Sequence, residues 1–361
     1  PQAESTSRKI VNAISVCVYT CLLLIMLGAY LPISHAVAAP QITPTTSTAS
    51  GKSVRPRAPT DLKKVAIGAS WMIGILQNNT LVSWGDNRYW QSTIPYRYKD
   101  ILFKDVAASL YVAYALDVNG NLYSWSDANT YGEVNIPVAA QTGVDAIAAG
   151  GNFALALKSD GSVWVWGYNG YGQLGDGTTT SRTTPVSVSG LSSGVAQISV
   201  GYFNSCAVLT TGAVRCWGWN TQGQIGDGTT TNRSTPTAVS GLGSGVKSVS
   251  VGNLHACATL LAGGAKCWGG NGNGELGDGT RTSRTTPVNV FGLSSVVSAI
   301  SSGGSLTCIL LSTGETKCWG SNWNGEVGSG SGSGYHAAPV TVSGLSSGGT
   351  AISAGNNHAC A

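Results

Sequence analysis

Cysteine is the best-organised reactive residue type in this chain. Cys206/Cys216, Cys257/Cys267 and Cys308/Cys318 recur as pairs, each ten positions apart. A thiol pair can be a disulfide, part of a metal site or a nucleophile with its resolving partner. Zinc needs four ligands at short C-x-x-C or Cys/His spacings, and no such quartet occurs. A catalytic thiol is not expected three times over in paired form, and the unit before the first pair has Leu155 and Val165 at the same places. Each pair brackets one hairpin, which sets its members opposite each other on adjacent antiparallel strands. Cβ atoms are then about 4.5–5.5 Å apart, close to disulfide geometry. Closing so short a loop stabilises by roughly 2–3 kcal/mol in the chain-entropy account. Cys360 stands where a fourth pair would begin, and its partner is expected beyond residue 361.

Other candidate chemistry is thin. The four histidines are His35, His255, His336 and His358, and none joins a Ser-His-Asp or Cys-His arrangement. "DVNGNLYSW" from Asp117 has a partial calcium-loop look, but its Gly comes too early and an Asn-Gly hairpin explains it. "GDGTTT" lacks the Gly-Lys-Ser/Thr of a phosphate loop, so Asp176, Asp227 and Asp278 are expected to cap their own loop amides. Arg182, Arg233 and Arg284 share one loop position, with Tyr335 in that place in the sixth unit. They are read as bonding loop carbonyls or stacking on a neighbour, against the alternative of a basic arc for an acidic partner. No catalytic residue, metal or cofactor is expected, and the chain is read as a non-enzyme.

The elements that carry these residues repeat. Trp84, Trp125 and Trp166 are 41 apart, and Trp166, Trp217, Trp268 and Trp319 are 51 apart. Each Trp ends a unit of the form "VAQISVGYFNSCAVLTTGAVRCWG": apolar strand, Gly turn, second strand, hairpin, third strand. After the Trp the long units run "GQLGDGTTT", a loop and a fourth short strand; the 41-residue units are expected to shorten this loop and leave the strands alone. Fifty glycines and only 10% charged residues suit short strands and tight turns. Such units cannot bury a face alone, and stacking them radially gives an all-β propeller.

The pattern "CWGWNTQGQIGDGTTTNRSTP" and its copies resemble the regulator of chromosome condensation repeat, over residues 64 to 361. That resemblance implies a seven-bladed β-propeller, with six full repeats here and the start of a seventh in "LSSGGTAISAGNNHACA". The first two repeats, with "WGDN" followed by "Q..IP", resemble the secreted beta-lactamase inhibitory protein II.

The remaining segments set the context. Residues 1–38 hold Arg8-Lys9, a long apolar run and Ala36-Val37-Ala38, the form of a signal peptide cleaved near Ala38 or of a retained anchor. Residues 39–61 read as a Pro/Thr/Ser-rich linker and 62–361 as the propeller, truncated at its C-terminus. The expected location is secreted or cell-surface, bacterial in type. A formal net charge of +4 is too small and scattered for nucleic-acid binding. The loops carry Trp71, Tyr89, Trp90, Tyr131, Tyr168, Tyr171, Trp219 and Trp323, with Tyr111, Phe153, Tyr202 and Phe203 in neighbouring turns. Aromatics on propeller rim loops are the expected recognition surface for a protein partner or a glycan, against the alternative that several of them pack between blades as core. Membrane contact is assigned only to an uncleaved N-terminal segment, and the protein is expected to be monomeric. The alternatives are a guanine-nucleotide exchange factor-like regulator of a small GTPase and a propeller lyase or hydrolase.

Overall fold

The computed structural model describes residues 61–361 other than 137, 294 and 333, with no side-chain description at 138 and 139. The segment read as a signal peptide or anchor, and the expected linker up to residue 60, lie outside the described residues. The chain divides between Arg57 and Ala58, and every described residue belongs to the second unit.

Seven antiparallel sheets follow one another along the chain. Blade 1 is β1 (Leu62–Ile67), β2 (Trp71–Leu76) and β3 (Leu81–Gly85); blade 2 is β4 (Phe103–Ala108), β5 (Ala113–Asp117) and β6 (Leu122–Trp125). Blade 3 is β7 (Val144–Ala149), β8 (Phe153–Lys158), β9 (Val163–Gly167) and β10 (Arg182–Ser187). Blade 4 is β11 (Val195–Val200), β12 (Asn204–Leu209), β13 (Val214–Gly218) and β14 (Arg233–Ala238). Blade 5 is β15 (Val246–Val251), β16 (His255–Leu260), β17 (Ala265–Gly269) and β18 (Arg284–Asn289). Blade 6 is β19 (Val297–Ser302), β20 (Leu306–Leu311), β21 (Thr316–Ser321) and β22 (Tyr335–Thr341). A two-stranded seventh sheet, β23 (Ser353–Ala354) with β24 (Ala359–Cys360), packs on both β19 and β1 and so closes the ring. The architecture is an all-β propeller of six blades plus this smaller sheet.

One expectation fails here. The 41-residue repeats lose more than loop length: blades 1 and 2 have three strands and no fourth. In blades 3 to 6 the outermost strand carries a Pro at a register shift, as between Cys216 and Gly218, where no ladder donor is required. In the first two repeats, the segments around Ile94 and Ile136 pack against the core without forming a strand.

The core lies between blades. The second strand of each blade is buried along nearly its whole length, as in "FALALK", because both its faces meet a neighbour. Trp166, Trp217, Trp268 and Trp319 are fully buried and Trp125 nearly so. Each reaches the preceding blade: the indole N–H of Trp217 donates to Gln173 O, that of Trp268 to Gln224 O and that of Trp319 to Glu275 O, at 2.9, 2.9 and 2.7 Å. Trp84 is only partly buried. Inner strands are stitched by side chains: Gln197 exchanges two hydrogen bonds with the main chain of Val249, and Ser199 and Ser250 each accept from the next inner strand. At the channel mouth the backbones nearly touch. A Cβ on Gly201 would lie 2.0 Å from Gly252 O, and one on Gly303 2.0 Å from Gly355 O. Only glycine allows that approach.

The cysteine pairs are disulfides. Cys206 faces Cys216, Cys257 faces Cys267 and Cys308 faces Cys318 across the middle two strands of blades 4, 5 and 6. Leu155 faces Val165 in the same register in blade 3. Cys360 is free among the described residues.

Candidate binding face

Strand order gives the propeller two unlike ends. One end collects the turns between first and second strands and the long loops after each Trp; the other collects the tight hairpins and the links to the next blade.

The long loops are rigid because each is pinned from within. Asn220, fully buried, accepts from Ile225 N through its side-chain oxygen, and its amide donates to Thr229 O and Thr231 O. Asn169 and Asn271 do the same in their loops. These asparagines were missed as a group by sequence reading, although the recurring W-G-x-N marks them. Asp227 caps Thr229 N as expected, and its other oxygen takes Arg233 at 2.6 Å. Asp176–Arg182 and Asp278–Arg284 match it. Partial burial pushes these carboxyls up, but bonds from the Thr and the guanidinium outweigh it and hold each below its ordinary value. The arginines therefore bond an aspartate of their own loop rather than loop carbonyls, and their charge is spent there.

The register corrects the sixth unit too. Gly320 pairs with His336, as Gly218 does with Arg233, so His336 and not Tyr335 takes the Arg position. His336 lies 3.3 Å from the hydroxyl of Ser329, which stands where the other loops have Asp. Tyr335 lies beneath the guanidinium of Arg281, 4.2 Å from its ring centre.

The eight aromatic candidates separate into four groups. Trp71 is not on the rim. It starts β2, is 1% exposed, and donates its indole N–H to Leu110 O in the next blade; Phe153, at the same strand position, is also buried. Residues starting a second strand point between blades, so turn proximity misled the sequence reading.

Tyr131, Tyr168, Tyr171 and Trp219 come together. Ring centres of Tyr131 and Tyr168 are 4.9 Å apart, Tyr168 and Tyr171 6.2 Å, and Tyr171 and Trp219 5.8 Å. Phe203 sits among them, 4.9 Å from Tyr171 and 5.9 Å from Trp219, with Tyr202 at 4.4 Å. Six rings from blades 2, 3 and 4 thus form one partly buried arc. Burial first, and neighbouring phenols second, push the Tyr168 and Tyr202 hydroxyls above the ordinary value, which keeps them neutral. An arc of neutral rings with phenolic hydroxyls can pack on apolar groups and hydrogen-bond at its margins.

Tyr89 and Trp90 lie on blade 1, with Tyr89 4.8 Å from Tyr111. Trp90 is 59% exposed with φ of 60°, at the position held by left-handed Gly132, Gly172, Gly223, Gly274 and Gly325 in later loops. Gly172 lies against the outer strand of the following blade, where a Cβ would come within 2.7 Å of Ser234. Blade 2 has no outer strand, so a bulky side chain fits at residue 90. Trp323 is 65% exposed and has no ring partner among the described residues.

His255 is fully buried with one ring nitrogen 2.8 Å from Thr307 Oγ1, and burial lowers its pKa to about 4. The Asp117 carboxylate accepts from Asn119 N, Asn121 N, the Asn121 amide and the Tyr123 hydroxyl, which accounts for its loop without a metal. Among the described residues no cluster of three or more His, Cys, Asp or Glu could hold a metal ion, and no helix is long and apolar enough to cross a membrane. The central channel mouth has about 140 Å³ of space, lined largely by Gly, Ala and Val from all seven sheets.

Comparison with known proteins identifies the repeats. Models of the regulator of chromosome condensation (RCC1) repeat match residues 160–208, 211–259 and 266–310, and a second model of that repeat matches 144–173 and 195–224. The chain is 28% identical over 258 residues to the ultraviolet-B receptor UVR8 of Arabidopsis thaliana, covering 64% of this chain and 58% of the receptor. It thus spans little more than half of that relative. Among solved structures, human WBSCR16 superposes with a TM-score of 0.73 at 21% identity, covering 84% of this chain and 86% of that one. Prp20p of Saccharomyces cerevisiae superposes with a TM-score of 0.68 at 17% identity, covering 82% and 81%. These two likenesses show the fold. With its repeats matched in sequence and its blades in shape, the chain carries regulator of chromosome condensation (RCC1) repeats over residues 144–259 and 266–310, on a β-propeller fold.

Proposed function

We propose that this protein is an exported, non-catalytic recognition propeller that holds a protein partner against the arc of Tyr131, Tyr168, Tyr171, Tyr202, Phe203 and Trp219. The continuity of these rings across three blades carries the reading. Their backbones are held by rigid loops, so little ordering entropy opposes binding. Trp90 and Tyr89 extend the surface on blade 1, and Trp323 offers a separate anchor on blade 6. The three disulfides call for an oxidising compartment, in keeping with export through the N-terminal segment, whether cleaved or retained as an anchor. A seventh blade begun by β23 and β24 completes this reading of the fold.

The Prp20p structure is described with binding properties toward Gsp1p and histones, which makes proteins the first partner class to test. The resemblance of the first two repeats to beta-lactamase inhibitory protein II makes an exported enzyme one concrete candidate. Exchange on a small GTPase is the alternative that the Prp20p likeness favours; disulfides weigh against it. A glycan ligand would use the same rings as stacking platforms.

The test compares immobilised wild-type protein with a Tyr171→Ala/Trp219→Ala variant against culture medium and cell-wall fractions. A partner kept by wild type should bind the variant at least about thirtyfold more weakly, the size of a hot-spot loss. Equal retention by both would overturn the reading, as would a glycan array showing saccharide binding with no protein retained.

A further inference from the structure

The opposite end of the propeller carries a departure from the repeat that the aromatic arc does not explain. Leu261, Phe291 and Val296 are 71%, 66% and 53% exposed. At the same places blade 4 has Thr210, Ser240 and Gly245, and blade 3 has Ser159, Ser189 and Gly194. The three residues surround one hairpin. Leu261 begins the turn after β16; Val290, next to Phe291, donates to Ala265 O at the turn's far end; Val297, next to Val296, donates to Gly263 O within it. A Cβ on Gly263 would lie 3.0 Å from Val296 Cγ2. One turn tip is therefore flanked on both sides by large apolar side chains.

Charge follows the same pattern. Arg215, Lys247 and Lys266 sit one residue in from this end of β13, β15 and β17. Among the described residues none of them has an ion-pair partner, whereas Lys64, Lys99 and Lys317 do. The acids of blades 4 and 5 are Asp227, Glu275 and Asp278, all in loops at the other end. The nearest acid of blade 6 at this end, Glu315, is taken by Lys317 and Thr341.

We infer that this end of blades 4 and 5 docks on an anionic lipid surface. The tips of Leu261, Phe291 and Val296 enter the acyl boundary while the Lys247, Lys266 and Arg215 cations meet lipid phosphates. Apolar burial and surface charge together are what hold an interfacial protein, and neither suffices alone. The site is independent of the aromatic arc, and failure of either proposal leaves the other standing.

The full chain is cosedimented with vesicles of phosphatidylcholine alone and of equal parts phosphatidylcholine and phosphatidylglycerol. Three proteins are compared: wild type, Leu261→Thr/Phe291→Ser/Val296→Gly, which copies blade 4, and Lys247→Gln/Lys266→Gln. The N-terminal apolar segment is common to all three and cancels. Wild type should prefer the anionic vesicles, with apparent affinity on the order of tenfold above the turn variant. The lysine variant should lose the preference for phosphatidylglycerol, and added salt should do the same to wild type. Equal binding by wild type and the turn variant overturns the inference, as does equal binding to both vesicle types. A wild-type dimer in light scattering that the turn variant abolishes would assign the patch to a second copy and also overturn it. If the turn variant does not match wild type in thermal unfolding, the lysine variant decides.

Discussion

The indole nitrogen of Trp217 lies 2.9 Å from the main-chain oxygen of Gln173, 44 residues earlier and one blade away. The same oxygen accepts the Ser205 hydroxyl at 2.9 Å. Replacing Trp217 by Ala removes a fully buried side chain from the blade 3–4 interface and should cost about 3–5 kcal/mol in urea unfolding. Trp217→Phe should cost less, because Ser205 still satisfies the carbonyl. A Phe variant as unstable as the Ala variant would show that the hydrogen bond outweighs the packing.

Each disulfide should contribute roughly 2–3 kcal/mol, so reducing all three should lower the melting temperature markedly. Because Leu155 and Val165 fill the same register in blade 3, Cys206→Leu/Cys216→Val should retain most of the oxidised stability and become insensitive to reductant at that blade. Differential scanning calorimetry with and without dithiothreitol reads this. A double variant as unstable as the reduced protein would mean that the covalent link, not the apolar fill, is what blade 4 needs.

His255 couples folding to pH. Its folded pKa is about 4 because burial disfavours the charged ring, whereas the ordinary value is 6.5. The unfolded chain therefore binds this proton more readily. The contribution of this site should be complete above about pH 6.5 and should decline as pH falls toward 4, by on the order of 3 kcal/mol. His255→Leu, the residue type at Leu306 in blade 6, should flatten that part of the profile. Measuring urea midpoints from pH 7 to 4 tests it, and an unchanged slope in the variant would remove His255 as the cause.

Trp90 stands in the left-handed region that glycine holds in later blades. Trp90→Gly should raise stability by about 1 kcal/mol by relieving that strain. If blade 1 shares in recognition, the same change should weaken partner binding. A stabilised variant with unchanged binding would leave Trp90 outside the interface.

Repeat period, Gly-rich turns and the spacing of Trp and Cys determined the propeller and its disulfides without coordinates, because each depends on residues within one blade. A hairpin ten residues long fixes which side chains face each other. Tertiary structure alone decided what crosses between blades. That Tyr131, Tyr168, Tyr171 and Trp219 share one arc while Trp71 is enclosed follows from how neighbouring sheets pack. That blades 1 and 2 lack a fourth strand goes with their shorter repeats, and that His336 rather than Tyr335 takes the Arg position follows from strand register, which one inserted residue shifts. The gathering of Leu261, Phe291 and Val296 around one turn belongs to the same class. Local pattern sets where a residue sits in its blade; the angle between blades sets which residues it meets.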